Sequence, residues 1–173
     1  ETNFNQNIEH AVGGLAQTME EGMAIFCPNA NSYRRFQPGF FAPITPNWGP
    51  NHRNLSIRIP LSDSGNVRIE HRAAGADANP YLVMACVLAG IHCGLKNKIT
   101  PPEMISEGEV IDPEVTLPVK WDKALEAFEN ATVLNEYLGS EYSDLFLRSR
   151  RCEMDRFTSQ ISNKDFEWYL RSI

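Results

Sequence analysis

The chain has 173 residues, 42% hydrophobic and 22% charged, a globular composition that excludes a disordered or collagen-like polypeptide. Lys and Arg total 16 against 22 Asp and Glu, a net charge of −6, so no global basic field exists to hold nucleic acid or an anionic membrane. The longest apolar run, Leu82–Ile91, falls far short of the ~20 residues a membrane-spanning helix needs. The opening Glu1-Thr2-Asn3-Phe4-Asn5-Gln6 has no initiator Met and no secretion-signal layout, so the numbering is read as starting inside a longer protein. Cysteines at 27, 86, 93 and 152 form no C-x-x-C pair and no cluster with the histidines; they read as reduced, buried thiols, and the chain as cytoplasmic.

Asn7 to Cys27 places Ile8, Val12, Leu15, Met19, Met23 and Phe26 at helical period, with Pro28 as the stop and Gly13, Gly14 and Gly22 as weak points. Pro28 to Pro50 is rich in proline, Asn and aromatics and reads as one long ordered loop. Asn54 to Ile59 and Val67 to Arg72 alternate as half-buried strands around the turn cluster Ser62-Asp63-Ser64-Gly65-Asn66, and an antiparallel hairpin is the simplest joining. Asp77 or Asn79 caps a helix opening on Pro80, and Tyr81 to Leu95, apolar nearly all round, is expected to be the buried spine. Thr100 to Val119 reads as a connecting loop. Helices are then expected over Asp122 to Tyr137, Ser140 to Ile161 and Asn163 to Leu170. The class is α+β, a central antiparallel element packed with helices.

The chemistry concentrates in cations. Arg35, Arg53, Arg58, Arg68 and Arg72 fall between the Pro-rich loop and the strands of an otherwise acidic chain. On a paired hairpin, Arg58, Arg68, Glu70 and Arg72 project from one sheet face. Guanidinium forks suit phosphate and carboxylate oxygens, and a carboxylate among them suits a hard cation. The plainer reading is a cross-strand ladder in which Glu70 only pairs with its neighbours. His71, opposite Glu70 on the strand, reads as a packed histidine, and Trp48 as a loop anchor rather than a stacking platform. Arg148, Arg150, Arg151 and Arg156, offset by Glu153 and Asp155, read as a solvated helix face. The terminal Phe166, Trp168, Tyr169, Leu170 and Ile173 read as a docking helix for core or subunit contact.

Three stretches carry a more specific signal: Asn31-Ser32-Tyr33-Arg34-Arg35-Phe36-Gln37-Pro38-Gly39, then Asn51-His52-Arg53 to Arg58-Ile59-Pro60, then Arg68-Ile69-Glu70-His71-Arg72 to Ala76-Asp77-Ala78-Asn79-Pro80-Tyr81-Leu82. In this order they resemble the glutamine synthetase family over essentially the whole chain. The wordings Arg34-Arg35-Phe36-Gln37 and Gly75-Ala76-Asp77-Ala78-Asn79 resemble its γ-glutamyl-polyamine synthetase branch. The resemblance implies an ATP-dependent ligase that forms γ-glutamyl phosphate and passes the acyl group to ammonium or a primary amine, with Mg²⁺ or Mn²⁺ and several arginines offsetting the gathered negative charge. It implies Glu70 as a metal ligand and Arg72 as a holder of the glutamate carboxylate. Arg53, Arg58 and Arg68 would then be the ATP-phosphate arginines, with Arg53 also serving the transition state, and Arg35 the arginine that meets glutamate and the transferring phosphate.

One departure bears on the amine. Where ammonium-using members carry a glutamate after Pro-Gly-aromatic, on the flap over the glutamate site, this chain has Phe41. An aromatic there would weaken ammonium use and line a pocket for the carbon chain of a larger amine; alternatively Phe41 fills a loop core and another carboxylate takes over. The family's β-grasp domain and the first part of its catalytic domain have no counterpart here. Residues 1–173 therefore read as the carboxyl-terminal portion of a catalytic domain, inactive by itself, that belongs to a double-ring homo-oligomer when complete. The competing reading is a non-catalytic binding or assembly module of the same fold.

Overall fold

The computed structural model describes residues 4–37, 40–61, 66–109 and 114–171. The first helix, α1 (Gln6–Phe26), is capped by Asn5, whose side chain accepts from the Asn7 amide at 2.9 Å. Its Val12, Leu15, Met19, Met23 and Phe26 are buried at the centre of the core. Next to α1 runs α2 (Pro80–Asn97), opened by Pro80 and capped by Asn79, whose Oδ1 accepts from the amides of Tyr81 and Leu82.

The spine is α1, not α2. The buried face of α2 is made of small residues, Cys86, Ala89, Gly90, Cys93 and Gly94, so the two helices meet backbone to backbone. A Cβ on Gly14 would sit 2.1 Å from the Gly90 carbonyl oxygen, and one on Gly94 would sit 2.1 Å from that of His10. Of the glycines that weaken α1 as a helix, Gly14 is the one that brings it against α2, while Gly13 faces Ile99 and Gly22 the Phe26 ring. The bulk of α2 points outward instead, with Tyr81, Met84, Leu88 and Leu95 exposed.

The sheet is small and mixed rather than purely antiparallel. A strand inside the Pro-rich loop, β1 (Trp48–Pro50), pairs in parallel with β2 (Ile57–Ile59), which pairs antiparallel with β3 (Glu70–His71). Asn47 builds the parallel register: its Oδ1 accepts from the Ser56 amide at 2.9 Å and its carbonyl from the Ile57 amide at 3.0 Å. Trp48 is the expected anchor, buried and donating through Nε1 to the Pro102 carbonyl at 2.7 Å. The hairpin register is Ile57 opposite His71 and Arg58 opposite Glu70, over fewer residues than the alternation suggested. Residues 62–65 of the expected turn, which ran to Asn66, lie outside the described residues, as do Pro38 and Gly39 of the Pro-rich loop. The same loop also holds a 3₁₀ turn, Ser32–Arg35.

The helix expected over Asp122 to Tyr137 is two, α3 (Trp121–Glu129) and α4 (Val133–Leu138). The break is held from α1: the Glu21 carboxylate accepts from the amides of Thr132, Val133 and Leu134 at 3.1, 3.3 and 2.8 Å. A carboxylate there satisfies the orphan donors of a helix start and meets the positive end of its dipole. Glu21→Ala is expected to destabilise the protein by about 2 kcal/mol, read as a lower urea midpoint, with Glu21→Gln recovering part of the loss.

The chain ends in α5 (Ser140–Thr158) and α6 (Asn163–Tyr169). Arg150 pairs with Glu153 at 2.5 Å, whereas Arg151 reaches Glu129 of α3 at 2.5 Å instead of a partner on its own helix. Phe166, Tyr169 and Leu170 are exposed, so the terminal helix does not pack into the core as one of its two expected roles required. All four cysteines are free; Cys27, Cys86 and Cys93 are buried as expected, but Cys152 is exposed. Among the described residues no helix is long and apolar enough to cross a membrane. The architecture is α+β.

Candidate active site

The β2–β3 register puts Arg58 and Glu70 directly across from each other, and the side chains meet. Arg58 Nε donates to Glu70 Oε2 at 2.7 Å and its Nη2 lies 2.6 Å from the same oxygen. Arg68 reaches Glu70 Oε1 from the other side at 3.2 Å. Both carboxylate oxygens are thus engaged by guanidinium groups, on a face where Glu70 keeps about a quarter of its side chain exposed (26%). Such half-exposed pairs contribute little to stability by themselves, on the order of 1 kcal/mol or less. Their importance is that they hold several positive forks in fixed positions around one acid.

Arg72 joins the group through the backbone, its Nη1 donating to the carbonyls of Arg53 and Leu55, the latter at 2.9 Å. It thereby ties the loop that carries Arg53 to the strand that carries Glu70. Burial and the nearby Arg58 charge push Arg72 below its ordinary basicity, with Glu70 acting against them. Arg53 also has an aromatic neighbour: its guanidinium carbon lies 5.9 Å from the centroid of the Phe41 ring. Phe40 and Phe41 are 60% and 59% exposed, so Phe41 does not fill a loop core.

Arg35 reaches the same region from the 3₁₀ turn. Its Nη2 donates to the carbonyl of Ala73, the residue after Arg72, and to Cys27 Sγ at 3.3 Å, while its guanidinium carbon lies 4.8 Å from the centroid of the Phe36 ring. The turn is latched by Asp77, which accepts from Ser32 Oγ at 2.6 Å and Asn29 Nδ2 at 3.0 Å. Burial works to raise the pKa of Asp77, but these hydrogen bonds and the Arg35 charge outweigh it and hold the carboxyl below its usual range. Neither the contact of Cys27 nor this role of Asp77 is legible from the sequence, where Asp77 and Asn79 are alternative helix caps; the cap is Asn79.

His71 turns to the opposite side of the strand, as alternation requires. It packs on Phe26 with ring centroids 4.6 Å apart, and burial pushes its pKa down to about 4. It is a neutral, packed histidine whose Nδ1 has no hydrogen-bond partner among the described residues.

A hard divalent cation takes six or more oxygens, and Glu70 supplies at most two. Among the described residues no group of three or more His, Cys, Asp or Glu converges on one point. Glu70, with both oxygens on guanidinium groups, does not make such a site by itself. A cleft of about 560 Å³ between α1 and α3, lined by Glu20, Glu21, Lys123 and Glu126, holds none of these arginines, and its acidic lining is unsuited to phosphate.

These residues lie in a chain with known relatives. It is 39% identical over 166 residues to the gamma-glutamylputrescine synthetase PuuA of Escherichia coli K12, covering 95% of this chain and 35% of that protein. It is 31% identical over 165 residues to the gamma-glutamylethanolamide synthetase GlnA4 of Streptomyces coelicolor, covering 95% and 34%. It is 32% identical over 167 residues to the glutamine synthetase of Methanocaldococcus jannaschii, covering 92% and 37%. The chain thus spans little more than a third of the length of these relatives. Among solved structures, ligand-free GmaS superposes with a TM-score of 0.82 at 28% identity, over 97% of this chain and 39% of that one. Residues 1–169 match the catalytic domain of glutamine synthetase, and the chain belongs to that family.

Proposed function

We propose that this chain is the carboxyl-terminal part of an ATP- and divalent-metal-dependent ligase that joins the γ-carboxylate of glutamate to a primary amine. The observation that carries the reading is the cationic face around Glu70: Arg58 and Arg68 on the carboxylate, Arg72 beside them, and Arg53 and Arg35 tied in through backbone carbonyls. Transfer of a phosphoryl group to a carboxylate brings two anions together, and only fixed positive charge makes that approach favourable.

In this reading Arg53, Arg58 and Arg68 hold the phosphates, while Arg72 and Arg35 hold the glutamate. Arg53 also meets the charge that develops during transfer. Glu70 contributes one carboxylate to Mg²⁺ or Mn²⁺, whose chemistry is to neutralise phosphate oxygens, and the other ligands come from the portion of the protein outside this chain. By itself the 173-residue chain is inactive, and the complete protein is a cytoplasmic homo-oligomer.

The amine follows from Phe41. At the flap position an exposed ring stands beside Arg53, offering an apolar and quadrupolar surface where a carboxylate would otherwise draw ammonium. Such a surface suits the methylene chain of an alkylamine and, for a diamine, its distal cation. The names of the putrescine and ethanolamide relatives support a primary amine over ammonium.

The test is glutamate- and Mg²⁺-dependent ADP formation by the full-length protein, comparing putrescine, ethanolamine and ammonium. Putrescine is expected to be used with at least tenfold higher kcat/KM than ammonium. Phe41→Glu is expected to narrow that ratio by about tenfold, chiefly through a higher KM for the amine. Sole use of ammonium by the parent protein would overturn the amine assignment. No turnover with any acceptor would leave an assembly or binding module.

A further inference from the structure

We infer that Cys27 is a positioning residue for Arg35, pinning one nitrogen of its guanidinium so that the rest of the fork is presented to the substrate carboxylate. The inference rests on the reading of Arg35 as a glutamate-holding group. Its geometry lies at the end of α1, where Pro28 stops the helix and the Cys27 amide still closes on the Met23 carbonyl at 2.8 Å. Cys27 is wholly buried. One residue earlier, the Phe26 carbonyl accepts from the Gly75 amide at 2.9 Å and fixes α1 to the segment that follows Arg72. The thiol is thus held at the junction of the segments that carry Arg35 and Arg72.

Two acceptors converge on Arg35 Nη2, the Cys27 sulfur at 3.3 Å and the Ala73 carbonyl oxygen. The thiol lies 3.7 Å from the same carbonyl, within reach of its one hydrogen. Sulfur, nitrogen and oxygen therefore close a small ring of contacts. Among the described residues both of these bonds fall on Nη2, and Nε is buried without a hydrogen-bond partner. The guanidinium is planar by resonance, so holding Nη2 between two acceptors also sets the direction that its remaining edge faces.

A thiol suits this task better than a carboxylate would. Burial raises the pKa of Cys27 more than Arg35 lowers it, so the group stays a neutral S–H at neutral pH. It can accept a hydrogen bond from Arg35 without cancelling its charge, whereas an acid would neutralise the cation that a substrate carboxylate needs. From the far side Asp77 restrains the turn through Ser32 and Asn29 rather than through the guanidinium.

The experiment uses the full-length protein and three substitutions. Cys27→Val removes the sulfur at similar volume, Cys27→Ala removes it without adding a methyl, and Cys27→Ser restores a donor and acceptor. Two measurements are made: the KM values for glutamate and ATP, and the rate at which phenylglyoxal modifies Arg35, followed by peptide mass spectrometry. Cys27→Val and Cys27→Ala are expected to raise the glutamate KM about five- to tenfold with the ATP KM within twofold, and to speed Arg35 modification several-fold. Cys27→Ser is expected to stay within threefold of the parent in both. Parent-like labelling of Arg35 in the Val and Ala variants would overturn the inference. So would equal effects of Ser and Val, or a matching rise in both KM values, which is what lost packing alone would give. If the parent shows no glutamate-dependent turnover, the functional reading fails, and the labelling rates still decide whether Cys27 pins Arg35.

Discussion

Gly94→Ala is expected to cost the protein about 3 kcal/mol, although helix propensity alone favours alanine over glycine within a helix by about 1 kcal/mol. The sign reverses because the added Cβ would stand 2.1 Å from the His10 carbonyl oxygen and 2.8 Å from the Gly14 nitrogen, both backbone atoms of α1 that cannot step aside. Relief requires α1 and α2 to separate, which thins contacts along the buried faces of both. The measurement is the urea midpoint of the full-length protein. Gly108→Ala serves as the contrast: nothing lies within 4 Å of its Cβ position and its φ is +83°, so it should lose only about 1 kcal/mol, from backbone conformation. Equal losses at the two positions would show that close helix contact is not what glycine supplies at 94.

The second large effect concerns chemistry. Arg72→Ala is expected to lower kcat/KM for glutamate by about a thousandfold in the full-length protein, the loss of a charged fork held against a carboxylate. Arg72→Lys should recover less than a tenth of that, because the native side chain does two things at once. Its Nη1 clasps the Arg53 and Leu55 carbonyls while the rest of the fork remains beside Arg58 and Glu70, and a single ammonium cannot span both. Full activity in the lysine variant would sink the assignment of Arg72 to the glutamate carboxylate.

The alternation of Arg58, Arg68, Glu70 and Arg72 was enough to place them on one face, because side-chain direction along a strand is fixed by its period of two. Strand β1 was not legible: a three-residue ladder of Trp, Gly and Pro carries no alternation, and its register comes from the Asn47 side chain. Nor was the break between α3 and α4, since the carboxylate that caps α4 belongs to Glu21, 111 residues away from Thr132 in the chain. Helix α2 is apolar on every side, so its composition could not say which face is covered; the small residues decide it by letting α1 come close. At the site, the motif wording located Arg35, but the sulfur and carbonyl that hold it depend on where α1 ends relative to the strand. That relation is set by packing and is written in no local pattern.

The backbone contact between α1 and α2 has a consequence for motion. Amides flanking Gly14 and Gly94 sit where two helices touch backbone to backbone, so local opening there requires the helices to part. They should be among the slowest in the chain to exchange with deuterium. The Gly75 amide hangs from the end of that same rigid pair through the Phe26 carbonyl, and the segment beyond Arg72 should share its protection. The arginine-bearing turn and strand would then keep their spacing for as long as the two helices stay joined.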